Sequence, residues 1–393
     1  MKENKIIVST DIGSDPDDAL SILAMLNNNL NVRAVHTVNG NVNARSYIAR
    51  HLLNLAGRKD VKVARGPSES LEKLIEPFSY LEDCYIEDSF IDEKASEEVG
   101  DITFKPLHRV GIMPHARIDL ASRLFKDKYT LFSLGPLTLI AQLIEQHPEL
   151  IANIERVYVM GGRFQAEALE HNFRFDPLAA QKVCDSDLPL TIVCGDVCES
   201  YRLPLESLDQ LASPAGRYAR RMAAGYAAAK TAEEFIYYNE GISRSLLQLL
   251  QDKVKTTPLA ARELGKRESY ELQCKKDSLL VNIDDPIYAA FEPAQYTQQY
   301  SALMGILREP KGYFEFAASA LHLLETIGPK TLSLADVFVP YCFLYPDHLS
   351  VRKGSVKVSL PFGQAELIEG DKHEIVTGID VDHFKEFVSR SLR

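Results

Sequence analysis

Four carboxylates fall within eight residues, Asp11-Ile12-Gly13-Ser14-Asp15-Pro16-Asp17-Asp18, directly after the β-branched run Lys5 to Thr10. Like charges this close repel one another unless a cation or a helix N-terminus compensates them. Capping employs one or two of them, with Asp15 placed to cap a helix whose first turn holds Pro16. It does not account for Asp11, which ends a strand amid apolar neighbours. A hard cation accounts for the whole set, because Ca²⁺ gathers about six to eight oxygens from carboxylates, carbonyls and water. The spacing is not that of an EF-hand: counted from Asp11, the sixth position is Pro16 rather than Gly and the twelfth is Ile22 rather than Glu. A phosphohydrolase of the haloacid type needs an acid where Gly13 stands. No Walker loop, G-x-S-x-G elbow or H-E-x-x-H zinc motif occurs in the chain.

The elements that must carry this cluster alternate. Lys5 to Thr10, Val32 to Val38, Val61 to Ala64, Tyr129 to Leu134, Val157 to Met160 and Leu190 to Val193 read as strands. Asp17 to Asn27, Asn43 to Ala56, Leu137 to Gln146 and Pro177 to Cys184 read as helices between them. Apolar strands alternating with helices predict an α/β fold, a mostly parallel open sheet covered on both faces. Ligands then bind beyond the carboxyl ends of the strands, where Asp11 lies. Glu76 to Asp101 reads as an irregular acidic stretch. Residues 207–330 read as largely helical, with no clear strand. Ser355 to Leu360 and Ile375 to Ile379 return to β character, and Val381 to Leu392 is an amphipathic helix with Phe384, Phe387 and Val388 on one face. With no internal repeat or Pro/Gly/Ser linker, residues 1–393 are expected to form a single elaborated domain.

The formal net charge of −11 argues against a nucleic-acid partner, which needs a surplus of Lys and Arg, and leaves room for a small neutral substrate. No signal-like apolar run opens the sequence and no stretch approaches about 20 uninterrupted apolar residues, so no membrane partner is expected. The six cysteines, Cys84, Cys184, Cys194, Cys198, Cys274 and Cys342, complete no zinc set and read as buried reduced thiols of a cytoplasmic protein.

The acidic segment resembles the signature of the nucleoside hydrolases, a strand followed by Asp-x-Gly and then Asp-Asp-Ala at a helix start. Further motifs follow in family order: Thr37-Val38-Asn39-Gly40-Asn41, Leu134-Gly135-Pro136-Leu137-Thr138, Met160-Gly161-Gly162 trailed by Glu170-His171-Asn172 and Asp176-Pro177, and Ala335-Asp336 before Tyr345-Pro346-Asp347. The similarity covers about Lys5 to Ser200 and Thr331 to Arg393. It implies the nucleoside hydrolase fold, with a helical insertion before the C-terminal segment, and hydrolysis of the N-glycosidic bond of a ribonucleoside or related N-riboside. It implies Ca²⁺ held by Asp11, Asp18, Asp336 and the backbone carbonyl of Thr138. Asp17 would bind a ribose hydroxyl, Asn41 would lie beside the sugar and the attacking water, and Glu170 and Asn172 would hold the other hydroxyls. Met160 would line the apolar face of the sugar. The cation would lower the pKa of a water whose proton passes to Asp11, the catalytic base.

Asp285, in Asp284-Asp285-Pro286, rivals Asp336 superficially, but the Tyr-Pro-Asp and the β tail follow Asp336 at the family's spacing. Ser9 stands where the family usually has a supporting Asp, Leu139 replaces a polar residue, and Ala335 replaces a His that helps the base leave. The loop after Gly162 lacks the Asn that commonly binds the 5′-hydroxyl. Ribose recognition is thus better preserved than base recognition. Tyr237 and Tyr238 in the added segment, and His171, are the candidates for helping the base depart, and residues 231–330 are expected to build the base pocket. The alternative is a protein that keeps the calcium and ribose site for binding but has lost turnover. A homo-oligomer is left open.

Overall fold

The computed structural model describes residues 4–72, 102–165, 169–223 and 331–392, with short pieces at 86, 88–90, 92, 97–99, 226, 269–273 and 278–282. Its frame is a nine-stranded sheet. The strands are β1 (Ile6–Thr10), β2 (Val32–Thr37), β3 (Lys62–Arg65), β4 (Ile112–Met113), β5 (Tyr129–Ser133), β6 (Ile154–Met160), β7 (Leu190–Val193), β8 (Leu349–Ser359) and β9 (Gln364–Ile379). Their spatial order is β8-β9-β7-β6-β5-β1-β2-β3-β4. Every neighbouring pair is parallel except the terminal hairpin β8–β9, as the alternating reading requires. The order changes direction at β1, which lies between β2 and β5, so the crevice beyond its end is a topological switch point.

Helices flank this frame: α1 (Asp17–Asn27), α2 (Val42–Leu55), α3 (Ala116–Leu124), α4 (Thr138–Gln146), α5 (His171–Phe175), α6 (Pro177–Asp185), α7 (Phe338–Leu344) and α8 (Val381–Ser391). Alternate strand residues Ile7, Ala34, Leu131, Val157 and Ile192 build one core face with Leu120 and Leu124 of α3, Leu143 of α4 and Val183 of α6. Elsewhere α1 packs on α7 and α8, where Phe338 and Phe384 stack with ring centroids 4.1 Å apart. The buried His36 of β2 bonds Asp119 of α3 at 2.8 Å. Burial pushes the Asp119 carboxyl up, but the bonds from His36 and Arg123 hold it down at about 2.

The chain divides into two compact units, residues 1–79, 87–219 and 333–393 in one and 80–86 and 220–332 in the other. The sheet belongs to the first. The second contains an antiparallel hairpin, Ser269–Gln273 with Ser278–Asn282, inside the stretch read as free of strands. Apolar pairs such as Leu279-Leu280 suit strand and helix alike in so short a run, and periodicity does not separate them. Helix α3 and a short antiparallel pair, Glu97–Val99 with Ile102–Phe104, likewise go beyond what the sequence pattern suggests. No helix among the described residues is long and apolar enough to cross a membrane. Cys184, Cys194, Cys198 and Cys342 are buried and unpaired, as expected, and Cys84 and Cys274 lie outside the described residues.

Candidate active site

Parallel strand β1 delivers Asp11 to the carboxyl edge of the sheet, and the chain then turns at Gly13, φ 126°, into α1. The helix spans Asp17–Asn27 as read, but its cap is Pro16 rather than Asp15. Pro16 takes the N-cap position without a side-chain cap bond, and Asp15 is exposed. Asp17 and Asp18 occupy the first turn, where the helix dipole favours negative charge, yet both are buried. Thr10 donates its hydroxyl to Asp18 Oδ1 and accepts the Ile12 N–H at 3.2 Å, fixing the strand end to the helix start. Asp336 arrives from a short 3₁₀ turn, Ala335–Val337. Its N–H donates to Asp17 Oδ2 at 3.3 Å, and its carbonyl accepts from Ser21 Oγ at 2.8 Å.

Among the described residues, Asp17, Asp18 and Asp336 each place a carboxylate oxygen within 4.8 Å of the others. A Ca²⁺ ion at bond lengths of about 2.3–2.6 Å spans opposite ligands by roughly twice that, so the spacing suits one shared hard cation. The electrostatics agree. Burial, with Asp15 next, pushes Asp17 up to about 7. Burial and then Asp11 push Asp18 well above the ordinary carboxylate range, and burial and then Asp18 do the same to Asp336. Buried Arg45 opposes the shift at Asp18, but its guanidinium bonds the backbone carbonyls of Asp11, Ile12 and Asn39. Three buried, mutually repelling oxygen donors with so little protein charge against them fit a divalent cation.

Asp11 stands outside that trio but within its field, since it raises the carboxyls of all three. Its Oδ2 accepts from Asn39 Nδ2 at 3.1 Å. Its Oδ1 occupies the space beside Gly135, where a Cβ would come within 2.7 Å. The glycine of Leu-Gly-Pro-Leu-Thr is therefore what admits the Asp11 carboxylate. The sequence passes over Asn39, which is buried at φ 67°; Asn41, read as a neighbour of the sugar, caps α2, its Oδ1 accepting from Ala44 N at 3.1 Å. Arg45 is missed as well, because an arginine in a helix of mixed composition reads as a solvent-facing residue. The signals that could find them are an Asn-Gly pair at a strand end and a cation one helical turn beyond it.

Of the residues read as sugar ligands, Met160, Glu170 and Asn172 gather at the end of β6, while Asp17 opens α1 and Asn41 caps α2. Glu170 Oε1 accepts from Asn172 N at 2.8 Å, and its Oε2 accepts from Phe173 N and Gly162 N, both at 3.0 Å. Burial pushes this carboxyl up, and the three N–H groups pull it back. Asn172 Nδ2 donates to the carbonyls of Leu134 at 2.6 Å and Met160 at 3.1 Å, bridging the ends of β5 and β6, and lies 3.5 Å from Met160 Sδ. Gly161 is required there, as a Cβ would sit 2.5 Å from the Phe173 ring. Thr138 opens α4, its hydroxyl donating to Asp176 Oδ2 at 2.6 Å, while Asp176 Oδ1 caps α6 through Ala179 N at 3.0 Å. His171 begins α5 and is exposed. Tyr237, Tyr238 and Asp285 lie outside the described residues, as does nearly all of 231–330.

A family model described as inosine-uridine preferring nucleoside hydrolase matches residues 6–275. The chain is 31% identical over 213 residues to a pyrimidine-specific ribonucleoside hydrolase of Photobacterium profundum, covering 52% of this chain and 65% of that protein. It is 31% identical over 230 residues to a probable uridine nucleosidase 2 of Arabidopsis thaliana, covering 55% of this chain and 66% of that one. The match thus spans just under two thirds of the length of these curated relatives. Among solved structures, a plant nucleoside hydrolase superposes with a TM-score of 0.62 at 17% identity, covering 99% of both chains, a likeness of fold.

Proposed function

The chain belongs to the inosine-uridine preferring nucleoside hydrolase family, and from that premise we propose that it hydrolyses the N-glycosidic bond of a ribonucleoside or related N-riboside, with Ca²⁺ as its cation. The observation that carries this reading is the buried trio Asp17, Asp18 and Asp336 in the field of Asp11, at the switch point of the sheet. Asp18 and Asp336 of the trio, with Asp11 and the Thr138 carbonyl, would hold the ion, leaving Asp17 beside it to serve the ribose. When bound, it would acidify the attacking water and anchor ribose hydroxyls.

The protein's own groups do the rest. Asn39 fixes one oxygen of Asp11 and Gly135 leaves room for the other, so the carboxylate is oriented to take a proton from water as that water attacks the anomeric carbon. The bond to the base breaks with its electron pair going to the departing nitrogen, through an oxocarbenium-like state. Asp17 accepts from a ribose hydroxyl. Glu170 and Asn172, rigid through their backbone bonds, face the remaining hydroxyls, and Met160 at the end of β6 lines the sugar's apolar face.

Reducing-sugar release from a panel of ribonucleosides and modified nucleosides tests this. Release should stop with a chelator and return with Ca²⁺. Nucleoside binding with Ca²⁺ but no release across the panel would make the chain a binding protein instead.

A further inference from the structure

Next to the acidic centre lies a cavity of opposite character. Strands β2, β3 and β4 run parallel and end on the same edge of the sheet as β1. The segments leaving them border an open cavity of about 540 Å³, within the range of small-ligand sites. Asn41, Asn43, Arg65, Ser68, His115, Arg117 and Gln142 supply its polar lining. Among the described residues no Asp or Glu takes part, in a chain of net charge −11.

We propose that this cavity is a phosphate-binding subsite adjoining the ribosyl centre, a reading that rests on the N-riboside activity for its role in turnover but not for its ligand. Arg65 donates to Asn43 Oδ1 and Arg117 to Gln146 Oε1, so both guanidinium groups are positioned by neutral partners, and among the described residues neither pairs with a carboxylate. Planar guanidinium forks suit phosphate oxygens, which they bind in pairs. The first residue of α3, Ala116, also lines the cavity, and the preceding His115 places no side-chain cap on that helix. The positive end of its dipole adds to the two arginines. Asn41 joins the two sites: the segment it ends leaves β2 next to β1, with Val38 N bonded to Thr10 O at 2.9 Å. Adjacent strands lie about 4.8 Å apart, and β3, which ends in Arg65, and β4, which leads to Arg117, are second and third from β1, so a phosphate between them is roughly two to three strand spacings from Asp11. It is either a phosphate of the substrate itself or free phosphate acting beside it.

The test uses the intact chain with Ca²⁺. Inorganic phosphate is titrated by calorimetry into the wild type, Arg117→Gln, Arg65→Gln and the charge-preserving Arg117→Lys. Phosphate should bind the wild type, with affinity falling about tenfold in each Gln variant and less in Arg117→Lys, as expected for one charge-assisted bond. Uridine is then compared with the 2′-, 3′- and 5′-monophosphates of uridine. If the substrate carries the phosphate, KM for one monophosphate rises about tenfold in Arg117→Gln while uridine turnover stays unchanged. If free phosphate is the ligand, it alters uridine turnover in the wild type and loses that effect in the variant. Equal phosphate binding by wild type and both Gln variants, or none by the wild type, overturns the proposal. Phosphate binding without sugar release from any riboside overturns the hydrolase reading and leaves the subsite standing.

Discussion

The ends of β1 and β6 use the same residue types to opposite purposes. At the end of β6, both oxygens of Glu170 accept from backbone N–H groups, and the Asn172 amide is taken by two carbonyls. Those acids and amides complete the local hydrogen bonding and stiffen the loop. At the end of β1, buried carboxylates face buried carboxylates, and burial and mutual repulsion raise Asp17, Asp18 and Asp336 together. A folded chain keeps such an arrangement only where something else offsets it. The contrast separates a scaffold that the protein satisfies alone from a centre that calls for a cation.

The sharpest break in that contrast is chemical. Asp11→Asn keeps volume and the neighbouring packing but cannot accept a proton, so turnover should fall by about 10²–10⁴ while circular dichroism and melting stay near wild type. Sugar release near the wild-type rate would remove Asp11 from the mechanism. Next in size is metal affinity. Asp336→Ala should weaken calcium binding by one to two orders of magnitude or more, roughly the loss of one carboxylate ligand. Asp285→Ala should leave it unchanged, and calcium titration of the two purified variants distinguishes them. The reverse order would transfer that ligand to the segment around Asp285.

Removing the metal tests the electrostatic half of the comparison. In the unfolded chain these carboxyls release protons near the ordinary value of about 4, whereas in the fold Asp17 keeps its proton up to about 7. Across that window the folded, metal-free protein binds more protons than the unfolded chain, so it loses stability as pH rises from about 4 through about 7. Saturating Ca²⁺ should abolish that loss. Urea denaturation at pH 5 and pH 8, with chelator or with Ca²⁺, reads it directly; chelated protein that is more stable at pH 8 would sink the idea of a repelling centre. The two poles should also answer mutation with opposite signs. Glu170→Ala leaves three N–H groups without their acceptor and should cost about 2 kcal/mol or more, whereas Asp18→Asn should stabilise the chelated protein.

Much of this contrast was legible in the sequence, for a physical reason. Like charges in close succession at the boundary of a strand and a helix are costly, so Asp11, Asp17 and Asp18 announce themselves, and the parallel frame follows from apolar runs alternating with helical ones. Asp336, 319 positions from Asp17, needed the context of its own motif. Side chains that answer backbone groups were not legible. Asn39 and Arg45 bond a carboxylate and carbonyls brought near only by the turn after β1, and the Asn-Gly pair and the cation a turn beyond it do not by themselves say what those side chains meet. The capping of α2 by Asn41 and of α5 by Glu170 was hidden the same way. The basic cavity draws Arg65 from the end of β3 and His115 and Arg117 from the start of α3, so no run of charge signals it.

The smallest expected effect lies at Thr138, where scaffold and centre meet in one residue. Its hydroxyl donates to Asp176 Oδ2 at 2.6 Å, and the same oxygen accepts from Leu71 N at 2.9 Å. Its carbonyl is the group read as a calcium ligand. Thr138→Val keeps the shape and the carbonyl and removes only the hydroxyl. Asp176 retains the Leu71 and Ala179 N–H groups, so its carboxylate is not left bare, and the loss is that of one buried bond to a charged acceptor, about 1–2 kcal/mol. Melting should fall accordingly, while calcium affinity stays within about a factor of two, because about 1.4 kcal/mol of coupling would be needed for a tenfold change. A tenfold loss of calcium affinity with little loss of stability would mean that the hydroxyl belongs to the centre, and that the line between the two poles has been drawn on the wrong side of Thr138.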